Sequence, residues 1–130
     1  MNKKQSRKGY YEYAPQIYPR KIWIHIGSNL KDIAQQFEEA ELPGDDYYGV
    51  CFEELSRKTD NMLGILITFR SKKDMTISNI CHEVCHAVDF IEQAIDMEHG
   101  GEQSAYLAGW IAGCIECAKR SNGKFINIEG

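Results

Sequence analysis

Residues 76–95 read TISNICHEVCHAVDFIEQAI, and this stretch decides the fold. Ile77, Ile80, Val84, Val88, Ile91 and Ile95 recur at the spacing of an amphipathic helix. At ~100° per residue, with His82 at zero, these six cluster between about 160° and 240°. His86 then falls near ~40°, Asp89 near ~340° and Gln93 near ~20°. Cys81 flanks the apolar stripe. One face is therefore suited to pack on a sheet, and the opposite face carries both histidines. Histidines on the apolar stripe would instead read as core residues. Glu83, about 100° round, is also off the stripe.

The segments on either side supply the sheet. From Lys21 to Ile26, Ile22, Ile24 and Ile26 alternate with Trp23 and His25, which predicts a strand. Gly27-Ser28 ends it, and Ser28 is placed to cap a helix. Leu30, Ile33, Ala34, Phe37 and Ala40 carry that helix to about Glu41, where Pro43-Gly44 stops it. Tyr47 to Leu55 reads as a strand with Tyr48, Val50 and Phe52 on one side. After a turn at Thr59-Asp60-Asn61, Leu63 to Arg70 forms the next strand. Its Ile65, Ile67 and Phe69 oppose Leu66 and Thr68, and the two strands pair as a hairpin. A second long helix runs from about Glu102 to Lys119, and Phe125 to Ile128 close the chain as a short apolar tail. The expected order is β-α-β-β-α-α: an α+β fold with a small sheet, three-stranded or slightly larger, packed on the helix of His82 and His86.

Composition narrows the function. The 130 residues suit one domain, 10–130, behind a disordered basic tail, 1–9, that holds Lys3, Lys4, Arg7 and Lys8. The net charge of -4 argues against nucleic acid as a partner. No apolar run approaches the ~18 residues of a membrane span. No apolar stretch follows the basic start, which points to the cytoplasm rather than export. The five cysteines, Cys51, Cys81, Cys85, Cys114 and Cys117, are an odd number and are expected to be reduced. A four-thiolate metal site from Cys81, Cys85, Cys114 and Cys117 is the sharper alternative. It is disfavoured because both pairs lie at helical spacing rather than in knuckle loops.

His82-Glu83-Val84-Cys85-His86 is an H-E-x-x-H pattern. Two histidines four apart on a helix point the same way and can grip one zinc ion, and the Glu between them lies beside the water such a metal activates. Catalytic zinc takes a third protein ligand. The metzincin pattern is not met, since Asp89 stands where Gly is needed and Glu92 where a third His is needed. Asp89 reads as an outer carboxylate that orients a His ring, or as a solvated charge. Glu102 opens the next helix and shares a face with the small residues Ala105, Gly109, Ala112 and Gly113. A close helix approach on that face would bring its carboxylate to the metal. His99, followed by Gly100, is the rival ligand, or else it lines the site. Tyr106, one turn after Glu102, is a candidate donor to a developing oxyanion.

His82-Glu83-x-x-His86 followed by Glu102-x-x-Ala105-Tyr106-Leu107-x-Gly109 resembles the gluzincin-type zinc metallopeptidases. More narrowly, it resembles small single-domain H-E-x-x-H proteins of phages and mobile elements. The element order is similar to minimal gluzincins and to the peptidase domain of ImmA/IrrE-type proteins. The resemblance implies a zincin-like fold, zinc on His82, His86 and Glu102, Glu83 as general base, and a protein or peptide substrate. Large gluzincins carry a second domain with substrate pockets, for which 130 residues leave no room. The chain also resembles SprT-like proteases, with His99-Gly100 supplying the third ligand, although it has no C-x-x-C pair in a knuckle-like loop. Two further readings stay open: a binding protein that keeps the metal but cleaves nothing, and a structural site closed by His82, His86, His99 and Glu102.

Overall fold

A computed structural model describes residues 8–15, 17–44, 46–121 and 124–127. Most of the expected basic tail, and Asp45 and Ile128, lie outside these residues. Lys8 and Gly9, placed in that tail by the sequence, instead begin a strand.

The strands are β1 (Lys8–Tyr13), β2 (Lys21–Ile26), β3 (Gly49–Cys51), β4 (Leu55–Ser56), β5 (Leu63–Phe69) and β6 (Lys124–Asn127). The α-helices are α1 (Leu30–Ala34), α2 (Ile77–Ala94) and α3 (Gly101–Lys119). The sheet is six-stranded in the order β3-β5-β2-β1-β6, with β4 also paired to β5. The architecture is mixed α and β and is compatible with the expected α+β class. The sheet is larger than expected because the Tyr10 region and the residues near Phe125 pair with each other as β1 and β6.

β2 and β5 are parallel, in register from Lys21↔Gly64 to Ile26↔Phe69. The other pairings are antiparallel. A parallel pair inside a sheet is covered on both faces, and the residues divide accordingly. Ile22, Ile24, Ile65, Ile67 and Phe69 meet Val84, Ala87, Val88 and Ile91 of α2 and Leu107, Ile111 and Ile115 of α3. On the other face Trp23 and Leu66 meet Tyr10, Leu30, Ile33, Phe37, Phe52 and Leu55. Gly64 has no side chain because Trp23 covers it: a Cβ there would lie 2.6 Å from the indole ring.

α1 is shorter than its periodicity predicts. Phe37 stays buried, but its backbone bridges Arg57, and Glu38 N–H donates to the Ser56 carbonyl at 2.8 Å. Pairing with the chain near β4 thus ends the helix before Pro43-Gly44 can. The cap also moves, from Ser28 to Asn29. Asn29 does not cap through its side chain, because its Oδ1 lies 2.8 Å from Nε2 of buried His25.

A buried charge cluster ties β1 to the β4–β5 turn. Arg57 donates to Glu12 at 2.8 Å, to the Tyr10 hydroxyl at 3.2 Å and to Asp60 at 2.7 and 3.0 Å. Trp23 Nε1 adds a bond to Glu12 at 3.0 Å. Burial pushes the Glu12 carboxyl up, but the bonds from Trp23 and Arg57 and the nearby Arg57 and Lys21 charges outweigh it and hold Glu12 below its usual range. Its contribution is present above the ordinary carboxyl value near 4.5 and is lost as pH falls through the lowered folded value. Arg57→Ala strands Glu12 without its partner and is expected to cost about 3–5 kcal/mol in urea unfolding at neutral pH. Glu12→Gln is expected to flatten the pH dependence of that stability below pH 4.5.

Candidate metal centre

Thr76 starts α2, its side chain accepting from Asn79 N–H at 3.1 Å. The apolar stripe seats the helix on β2 and β5, which leaves His82 and His86 exposed on the far side. Their Nε2 atoms face each other at 3.2 Å. Two nitrogens bound tetrahedrally to one zinc at ~2.0–2.1 Å stand about 3.3 Å apart, so the pair is already at the spacing a shared ion needs. Tyr48 meets His82 edge-on at 6.1 Å, and Phe90 stacks on His86 at 6.0 Å between ring centres.

Glu83 turns the other way, towards the β3 side of the sheet, and is 2% exposed. The Tyr48 hydroxyl lies near its carboxylate and favours the charged form. Oε1 has no hydrogen-bond partner. Burial pushes the Glu83 carboxyl above its usual value, against the opposing effects of the Tyr48 hydroxyl and of His82 and His86. Its charge together with burial also pushes the Cys51 thiol well up. A buried carboxylate oxygen without a donor, on the residue next to His82, is left for a further polar group to engage.

Tyr48 is the site residue that the sequence reading misplaced. Strand alternation carried back to Tyr47 puts Tyr48 with Val50 and Phe52. The strand begins only at Gly49, after a bend, so Tyr47 joins Val50 and Phe52 while Tyr48 turns to Glu83. Alternation is a guide only within a strand, and no local signal marks the bend.

The third ligand is where geometry and expectation differ. α2 and α3 pack as an antiparallel pair: Ser104 Oγ donates to Glu92 at one end, and Lys119 Nζ donates to the Met75 carbonyl at 3.0 Å at the other. His86 lies about 9 Å back along α2 from Glu92. Glu102, two positions before Ser104, lies beyond that. The small-residue face of α3 also points outward: Ala105, Gly109 and Gly113 are exposed, and a Cβ on either glycine would meet nothing. The opposite face, with Ser104, Leu107, Ile111 and Ile115, is the packed one. The close approach expected to deliver Glu102 to the histidines is therefore not the packing observed. Tyr106 is exposed and lines a groove with Pro15, Ile17, Tyr18 and Trp110.

His99 meets α2 beyond His86. Its Nδ1 lies 2.6 Å from Glu92 Oε1 and 3.4 Å from Asp89 Oδ1, one helical turn beyond His86. The hydrogen bond to Glu92 raises its pKa. Among the described residues, Asp89, Glu92 and His99 form the metal-capable group of three whose ligand atoms all lie within 4.8 Å of one another. Neither His99 nor Glu102 joins both His82 and His86 at that distance, and the cysteines form no such group. All five cysteines are free, and burial pushes the Cys114 thiol up to about 12. Glu54 pairs with Arg20, while Asp46 and Glu53 are exposed. No described helix is long and apolar enough to cross a membrane.

Compared with known proteins, the chain matches no family model and has no significant match among curated proteins or solved structures. The functional reading therefore rests on the residues themselves.

Tyr48→Phe removes the hydroxyl that favours the charged form of the buried Glu83 carboxylate. Loss of about 1–3 kcal/mol at neutral pH is expected in denaturant unfolding, with Glu83→Gln/Tyr48→Phe losing less than the sum of the single changes.

Proposed function

We propose that this protein is a zinc-dependent peptidase of the H-E-x-x-H type, resembling minimal gluzincins and SprT-like proteases. The observation that carries the reading is the pairing of His82 Nε2 and His86 Nε2 at 3.2 Å on the helix that also carries Glu83, whose buried Oε1 has no partner. His82 and His86 would hold the ion, with His99 of the α2–α3 turn as the third ligand. Bound there, zinc supplies Lewis acidity to a water and to the scissile carbonyl.

The chain's own residues do the rest. Glu83 Oε1 takes the proton from the attacking water and passes it to the leaving amine nitrogen. Tyr48 occupies one side of the carboxylate and keeps Glu83 aimed. β3 is an edge strand, paired to β5 alone among the named strands, and α2 packs against it. An extended peptide pairing with its open edge would run past Glu83, which supports a peptide substrate.

The test combines zinc binding with cleavage of an unfolded protein and a peptide library by the full chain. Wild type is expected to bind one zinc and cleave, and His82→Ala and His86→Ala to lose the metal. Glu83→Gln is expected to keep zinc and to lose cleavage by roughly 10²-fold or more. Zinc bound with no cleavage by wild type supports the non-catalytic binding reading instead. Failure of wild type to bind zinc overturns both.

A further inference from the structure

Glu92 has no part in the H-E-x-x-H chemistry, yet it is 2% exposed and both of its carboxylate oxygens are engaged. Oε1 lies 2.6 Å from His99 Nδ1. Oε2 accepts from Ser104 Oγ, and that hydroxyl accepts from Gly100 N–H at 2.7 Å. The Glu92 backbone carbonyl accepts from Met97 N–H at 2.8 Å. The turn between α2 and α3 is thus stitched to one residue at three points. The turn itself needs left-handed backbone, with φ of +55° at Asp96, +105° at Gly100 and +75° at Gly101. What this arrangement holds is a histidine whose side chain is 67% exposed.

Taking a carboxylate out of water is unfavourable unless it is well bonded. A turn alone could be closed by a neutral side chain. A carboxylate on Nδ1 does something more specific: it selects the tautomer with the proton on Nδ1 and leaves the Nε2 lone pair for a metal. This is the carboxylate–histidine pair found behind metal-ligating imidazoles. Asp89, at 3.4 Å from the same nitrogen, adds negative charge on the same side.

We propose that Glu92 is a positioning residue, which holds His99 by Nδ1 so that Nε2 is the nitrogen left to bind zinc, as the third ligand from the α2–α3 turn. The proposal rests on the zinc reading of His82 and His86. It assigns to Glu92, which the motif passes over, a role in metal affinity and not only in closing the turn. Ser104 steadies the second oxygen of Glu92 and holds the turn through Gly100.

The test uses the full chain, chelator-competition titration with zinc, and visible absorption of the cobalt-loaded protein as a count of nitrogen ligands. His99→Ala, at an exposed position, is expected to weaken zinc binding at least 100-fold and to alter the cobalt spectrum. Glu92→Gln, which retains shape and an accepting oxygen, is expected to weaken it by roughly 10–100-fold. Since Glu92 acts through His99, Glu92→Gln in the His99→Ala background should cause no further loss. Ser104→Ala, read by urea unfolding, reports the structural role of the turn and should move zinc affinity less than Glu92→Gln does. An unchanged zinc affinity in Glu92→Gln, or an equal loss with and without His99, overturns the proposal. So does loss of zinc in Glu102→Ala with none in His99→Ala. If zinc binding depends on His82 and His86 but not on His99 or Glu92, only this inference fails. If wild type binds no zinc, the functional reading fails with it.

Discussion

The parallel pairing of β2 with β5 is the constraint on which the rest of the molecule depends. Two parallel strands cannot be joined by a tight turn, so the chain between them must cross over one face of the sheet. That crossover carries α1, β3 and β4, and it buries Leu30, Ile33, Phe37, Phe52 and Leu55 against Trp23 and Leu66. The other face is left to α2 and α3. Isoleucines on β2 and β5 supply its floor, and the apolar stripe of α2 settles on it. The orientation of α2 follows, and with it the exposure of His82 and His86.

The same seating explains why three neighbouring residues of one motif differ so much in environment. His82 and His86 stand on the face away from the sheet, where they remain in water and close to each other. Glu83 lies on the flank, where β3 comes alongside, and is buried. A carboxylate in that position is disfavoured as an ion by lost hydration and favoured by the adjacent Tyr48 hydroxyl and by the histidines. That balance suits a group that must accept and release a proton. The site is therefore built from one helix and from the bend that leads into an edge strand.

The long apolar periods were legible in the sequence. The faces of β2 and β5, and the divided faces of α2 from Ile80 onward, are observed as read, because each side chain's direction follows from a fixed repeat once the element is long enough; Ile77, in the first turn, is exposed instead. Short elements were not legible. α1 ends after Ala34 because Phe37 finds a partner in Arg57, a contact 20 positions away that no local pattern announces. β6 was missed for the same reason: it becomes a strand by pairing across nearly the whole chain with β1, which also pairs with β2. The face of α3 was read correctly for Leu107, Ile111 and Ile115. Of the small-residue stripe read as a contact, Ala105, Gly109 and Gly113 are open to solvent, and Ala112 is half-buried.

By itself, the sequence determined that a helix carries His82 and His86 on one face, with Glu83 between them, because spacing along a helix sets direction without help from other segments. Only the tertiary structure decided what meets that face. Tyr48 reaches Glu83 because a bend precedes β3, and Glu102 stands off because Ser104 and Lys119 set the alignment of α3 on α2. His99 is drawn to Glu92 by a turn with left-handed backbone at Asp96, Gly100 and Gly101. Those are relations between segments. They arise from how buried surfaces fit together, which a one-dimensional pattern of residue types does not encode position by position.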